Sequence, residues 1–242
     1  ELYPGRIDLG LGRAPGTDGL TMRALRRDRV ETEADFPRDV TELQHLLAPA
    51  EPNQRLVAMP GAGTNVPIWL LGSSLFSAQL AAQKGLPYAF ASHFAPRLLL
   101  QALDVYRSQF QPSAVLDKPY AIVGVPLIAA PTDAEADYLA SSTYQRVLGI
   151  VTGRRGRLAP PVADYMRTLH TQERVAIADF LACAVIGGPE TVQKGLVQLQ
   201  HATEADEFML VSDVYDPALR LRSLDIAAQC AGLTPHAPLA SA

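Results

Sequence analysis

Short apolar runs alternate along this chain with longer amphipathic ones. Ile7–Leu11, closed by Gly12, reads as a buried parallel strand, and Ile68–Leu71, Tyr88–Ser92, Tyr120–Ala130 and Phe208–Val211 read as four more. Pro126 inside the fourth run predicts a bulge or an early strand end. Between the strands lie segments of helical period. Phe36–Leu47 places Phe36, Val40, Leu43, Leu46 and Leu47 on one face. Leu75–Lys84 is stopped by Gly85 at the C-cap, and Ala95–Phe110 admits Pro96 in its first turn. Thr132 and Glu135 form the spacing of a capping box that opens a helix toward Val147. Thr171–Ala184, a helix begun by Gly188-Pro189-Glu190, and Pro217–Cys230 complete the series. Ala48–Gly63 and Gly149–Pro161 carry the Pro, Gly and polar residues of loops.

Strand-helix alternation of this kind predicts a parallel sheet and an α/β fold. A closed (β/α)8 barrel needs eight strands and about 250 residues. Five strands in 242 residues therefore predict one domain, residues 1–242, that is an incomplete barrel. The chain opens on Glu1 and enters strand-like sequence within seven residues. At about 30 residues per βα unit, three absent units correspond to roughly 90 residues upstream.

Composition narrows the function. A net charge of −4 gives no reason to expect nucleic acid or an anionic membrane surface as partner. No apolar run reaches the about 18 residues of a membrane span, and no signal peptide is evident. The two cysteines, Cys183 and Cys230, lack CxxC spacing and read as reduced core thiols of a cytoplasmic protein. His45, His170, His201 and His236 fall in helices or the tail without metal-ligand spacing, so no metal site is expected.

Two strand-to-helix corners carry the candidate chemistry. In RIDLGLGRAPGTD (Arg6–Asp18) a Gly-containing turn presents Arg13, either a fork for a phosphate or an ordinary loop arginine. In the second, Gly72, Ser73, Ser74 and Ser77 stand where small residues and a helix N-terminus can receive an anion. Ser73 or Ser74 as a plain N-cap accounts for the same residues equally well. His93 closes the third strand as a general-base candidate or a hydrogen-bonded rim residue. The arginines at Arg23–Arg29 and Arg154–Arg157 are either polyanion contacts or a solvated face and loop. LGLGRAPG lacks the third glycine of a dinucleotide fingerprint.

At these residues the chain resembles the bacterial luciferase-like monooxygenases, and more closely their single-chain FMN-type branch. The resemblance rests on LYPGRIDLGLGRAPGTD (Leu2–Asp18), IWLLGSSLFSAQLAAQKGLPYAFASHFAP (Ile68–Pro96) and GGPETVQKGL…ADEFMLVSDVYD (Gly187–Asp216). It implies a TIM barrel, here strands four to eight, that binds reduced FMN at its C-terminal mouth and uses O2 to oxygenate an aldehyde or other small organic substrate. It implies that Arg13 contacts the flavin phosphate. Gly72, Ser73, Ser74 and Ser77 correspond to the phosphate-binding helix start after the fifth strand. A separate flavin reductase or NAD(P)H would supply electrons, and family members tend to dimerise. By the same resemblance the Arg-rich stretch after Asp18 would lie near the mouth as a mobile lid, and TGRRGRLAPP falls where such proteins carry an insertion toward the substrate side. Family strands one to three, which bring an acidic-histidine segment beneath the flavin ring, have no counterpart here. The resemblance therefore names no catalytic base, leaving His93 as the candidate. An F420-dependent oxidoreductase and a non-catalytic flavin-binding relative remain alternatives.

Overall fold

A computed structural model describes residues 2–13 and 35–233. The Arg-rich segment Thr21–Glu33 lies outside the described residues. Six strands and eight helices are present among those described: β1 (Leu9–Gly12), α1 (Phe36–Leu47), β2 (Ile68–Gly72), α2 (Leu75–Lys84), β3 (Tyr88–Phe90), α3 (Leu99–Ser108), β4 (Ala121–Ala129), α4 (Asp133–Val151), α5 (Tyr165–Thr168), α6 (Thr171–Phe180), β5 (Val185–Gly187), α7 (Pro189–Thr203), β6 (Glu207–Val211) and α8 (Pro217–Cys230). The chain divides into two compact units, Glu1–Phe90 with Gln101–Ala121, and Ala91–Leu100 with Ile122–Ala242.

In the first unit β2 lies between β1 and β3, both parallel to it, with Leu9 opposite Ile68 and Leu70 opposite Tyr88. α2 follows β2 at once and ends where Gly85 adopts φ +59°, a left-handed conformation that stops the helix. Leu70, Leu86, Tyr88, Phe90, Leu103 and Tyr106 are fully buried and form the unit's core. The Tyr106 hydroxyl donates to the Leu86 carbonyl at 2.9 Å and accepts from the Tyr120 N–H at 3.1 Å, which satisfies the one polar atom this side chain takes into the core. β1 is less buried than its composition predicts: Ile7 is exposed and the strand alternates between half-buried and exposed positions. Among the described residues its only strand neighbour is β2.

In the second unit β4 pairs in parallel with β6 through Ile122–Pro126 and with β5 through Leu127–Ala129. Pro126 neither bulges nor ends the strand. It occupies the last register pair with β6, one residue before pairing with β5 begins, where a missing N–H costs the ladders least. α4 lays Ala136, Leu139, Ala140 and Val147 against Ile128, Ala130, Ile177 and Val214. Only half of the expected capping box forms. Thr132 Oγ1 accepts from the Glu135 N–H at 3.2 Å, while the Glu135 carboxylate is taken by Arg222 of α8. A reciprocal box does form at α6, where the His170 N–H donates to Glu173 at 2.8 Å. Ala129 at the end of β4 is tied to α8 by a buried bond from its N–H to Ser223 Oγ at 2.8 Å. The parallel α/β class expected from the sequence is thus the fold observed, and the described strands do not close into a barrel.

Candidate functional site

β1 and β2 run parallel and neighbouring, so the turns that leave their C-terminal ends, Gly12-Arg13 and Gly72-Ser73-Ser74, emerge on the same side of the sheet. The Arg13 guanidinium stacks over the Phe76 ring at 4.5 Å, which places it beside the first turn of α2. The structure therefore brings Arg13 together with the Gly72–Ser77 corner.

The corner itself is built on close approach. A Cβ at Gly72 would fall 2.1 Å from Ser77 Oγ and 2.6 Å from Ser77 Cβ, so only glycine lets β2 run this tightly into α2. Ser77 is buried at 4% exposure, and its hydroxyl donates to the Ser74 carbonyl at 3.0 Å. Ser74 is the N-cap residue by position, yet its hydroxyl caps no N–H of the helix and instead stands 3.5 Å from Ser77 Oγ. The first-turn N–H groups that an α-helix cannot satisfy internally are left without a side-chain cap. Beneath them burial pushes the Tyr88 phenol up to about 12, against the opposing pull of a hydrogen bond with Ser77. Half-buried Arg13, uncapped donors at the positive end of a helix dipole and a glycine that admits close approach thus stand together at one corner.

His93 belongs to the second unit. Its strand ends earlier than the sequence predicts, at Phe90, because the chain turns there: Phe94 N–H bonds back to the Ala91 carbonyl and the Ser92 hydroxyl donates to the Gly124 carbonyl of β4. The His93 ring packs on bare backbone, since a Cβ at Gly124 would lie 2.4 Å from His93 Nδ1. That Nδ1 is buried and makes no hydrogen bond within the described residues. Burial holds the imidazole below the ordinary histidine range; Asp213 pulls its pKa up and Arg146 pushes it down. Arg146 and Asp213 are themselves joined at 2.5 Å. Sequence reasoning passed over this pair, whose members stand far apart in the chain on α4 and just after β6.

Both cysteines are free and partly buried rather than core residues. Burial raises the Cys183 thiol, while a hydrogen bond with Ser92 works the other way. Among the described residues no group of three or more His, Cys, Asp or Glu is placed to hold a metal ion, and no helix is long and apolar enough to cross a membrane.

Comparison with known proteins adds a family. The luciferase-like monooxygenase model matches residues 1–206. Uncharacterized protein YvbT of Bacillus subtilis strain 168 is 49% identical over 228 residues, 94% of this chain and 68% of that protein. A luciferase-like monooxygenase of Escherichia coli K12 is 46% identical over 226 residues, 93% of this chain and 68% of that one. Among solved structures, apo-MsnO8 superposes with a TM-score of 0.81 at 31% identity, over 97% of this chain and 71% of its own.

Proposed function

We propose that this chain, which belongs to the luciferase-like monooxygenase family, holds the phosphate of reduced FMN at the β1 and β2 corners and serves oxygenation of a small, aldehyde-like organic substrate by O2. The observation that carries the reading is the corner where Gly72 admits α2 and Arg13 lies over Phe76. Bound reduced flavin would supply the electrons that activate O2.

The residues divide that work. Arg13 offers a planar fork to two phosphate oxygens, and the Phe76 ring limits the rotamers it must give up on binding. Ser73 and Ser74 offer hydroxyls and backbone N–H groups. Ser77 acts from beneath: its inward hydrogen bond to the Ser74 carbonyl fixes the turn whose donors face the anion. Reducing equivalents from NAD(P)H, through a separate flavin reductase, fit this scheme, as do a homodimeric state and a cytoplasmic location. No residue of this chain is assigned as the catalytic base.

The test is an anaerobic titration with reduced FMN, followed through Trp69, which lies in β2 three residues before Gly72. Arg13→Ala is expected to weaken binding by about 1–3 kcal/mol, roughly 5- to 150-fold in Kd. An unchanged Kd would remove Arg13 from the site. A parallel titration with F420 separates the deazaflavin alternative, and oxygen uptake with NAD(P)H and a reductase separates a binding protein without turnover.

A further inference from the structure

The arginines of the Gly149–Pro161 loop have no part in the proposed flavin site, and the structure places two of them on a cavity. After α4 the chain turns through Gly153 at φ +73° and lies back along its own helix. Gln145 Nε2 donates to the Pro160 carbonyl at 2.9 Å, and the Val162 N–H donates to Ser141 Oγ at 2.7 Å. Gly149 takes the closest approach: a Cβ there would stand 2.8 Å from the Arg154 carbonyl oxygen. Two hydrogen bonds thus tie this stretch to α4, and the loop borders a half-open cavity of about 290 Å³ whose lining includes Arg146, Arg154, Arg157, Tyr165 and Gln145.

The charges of this lining are unbalanced. Arg146 is matched by Asp213. Arg154 and Arg157 make no ion pair or hydrogen bond with the described residues, and no carboxylate is among the lining residues. Two guanidiniums left unmatched on one preordered loop, in a chain of net charge −4, mark a site for an anion. A double positive charge suits the dianionic phosphate group, which two guanidiniums can grip with paired N–H donors. The volume has room for a phosphate together with a small organic group. A loop already fastened to its helix loses little entropy on binding.

We infer that this cavity binds a phosphate group, as the free anion or carried on a small organic molecule, through residues other than Arg13 and the Gly72–Ser77 corner. Calorimetric titration of the full chain with inorganic phosphate and with ribose 5-phosphate tests it, and the tighter of the two identifies the source. Binding is expected to fall about tenfold or more in the Arg154→Gln/Arg157→Gln variant. It should persist within twofold in Arg155→Gln, whose exposed side chain does not line the cavity, and Arg13→Ala should leave this component in place while removing whatever phosphate the flavin cradle takes up. Arg154, Arg155 and Arg157 are exposed, so unchanged circular dichroism is expected of their variants. Binding lost in Arg13→Ala alone belongs to the flavin cradle and overturns the assignment. Equal loss in Arg155→Gln, or equal affinity for malonate, overturns it in favour of diffuse charge. Phosphate binding that no variant alters, or none at all, overturns it outright.

Discussion

Gly72→Ala tests the β2 corner more sharply than removal of a charge, because its effect follows from distances. The added Cβ would stand 2.6 Å from Ser77 Cβ, whereas ordinary contact begins near 3.4 Å, so Ser77 must retreat by about 0.8 Å. Rotating the Ser77 hydroxyl relieves only the 2.1 Å clash with Oγ; the clash with Cβ can be relieved only by moving backbone, and with it the first turn of α2. Overpacking of this kind costs about 1–3 kcal/mol, and replacing glycine returns about 0.4–1 kcal/mol by restricting the unfolded chain. The expected net destabilisation lies between about 0 and 2.6 kcal/mol, centred near 1.3, and is read as a lower urea midpoint at unchanged slope in the fluorescence of Trp69, which lies on the same strand. A donor displaced by 0.8 Å leaves hydrogen-bond range, so reduced FMN should bind about tenfold or more weakly. Ser77→Gly removes both clashing atoms. The double variant should therefore be more stable than the two single effects predict, by about 0.5–3 kcal/mol. A Gly72→Ala protein within about 0.5 kcal/mol of the parent and with unchanged flavin affinity would refute the reasoning.

Two further outcomes concern the second unit. Ser223→Ala leaves the buried Ala129 N–H without its acceptor and should destabilise the protein by about 1–3 kcal/mol in urea, with the slope unchanged. His93 is held below its ordinary pKa in the folded state, so the unfolded chain binds the proton more readily. Its contribution is complete above about pH 6.5 and is lost as pH falls through the lowered folded value. His93→Gln should therefore flatten the decline in stability between about pH 7 and 5, and an equally steep decline in the variant would show that other groups cause it.

Much of the fold was legible because its punctuation is chemical. Phe36–Leu47, Leu75–Lys84 and Pro217–Cys230 form with the bounds the sequence predicts, each fixed by periodicity together with a Pro start or a Gly stop. Val185–Gly187 escaped notice as a strand, since three residues carry no period and its identity depends on pairing with Leu127–Ala129. Ala95–Phe110 read as one helix, yet it begins as a 3-10 turn at Pro96–Leu98 before the α-helix at Leu99, a distinction of hydrogen-bond register that composition does not encode. α5 and the α6 bounds at Phe180 were equally invisible. At the candidate site the residue types were readable but their orientation was not. Ser77 looked like a phosphate ligand, and only the fold shows its hydroxyl turned inward to Ser74. The Arg146–Asp213 pair joins positions 67 residues apart and leaves no local trace.

The packing of His93 on Gly124 also constrains how these two positions can change over generations. The imidazole fills the space in which a side chain at 124 would lie, so the two positions share one volume. Loss of the ring first opens that volume, and a methyl group can then be gained at 124. The reverse order passes through an intermediate in which the two groups overlap. Sequence drift at this pair is therefore directional: the same two substitutions are accessible along one path and obstructed along the other.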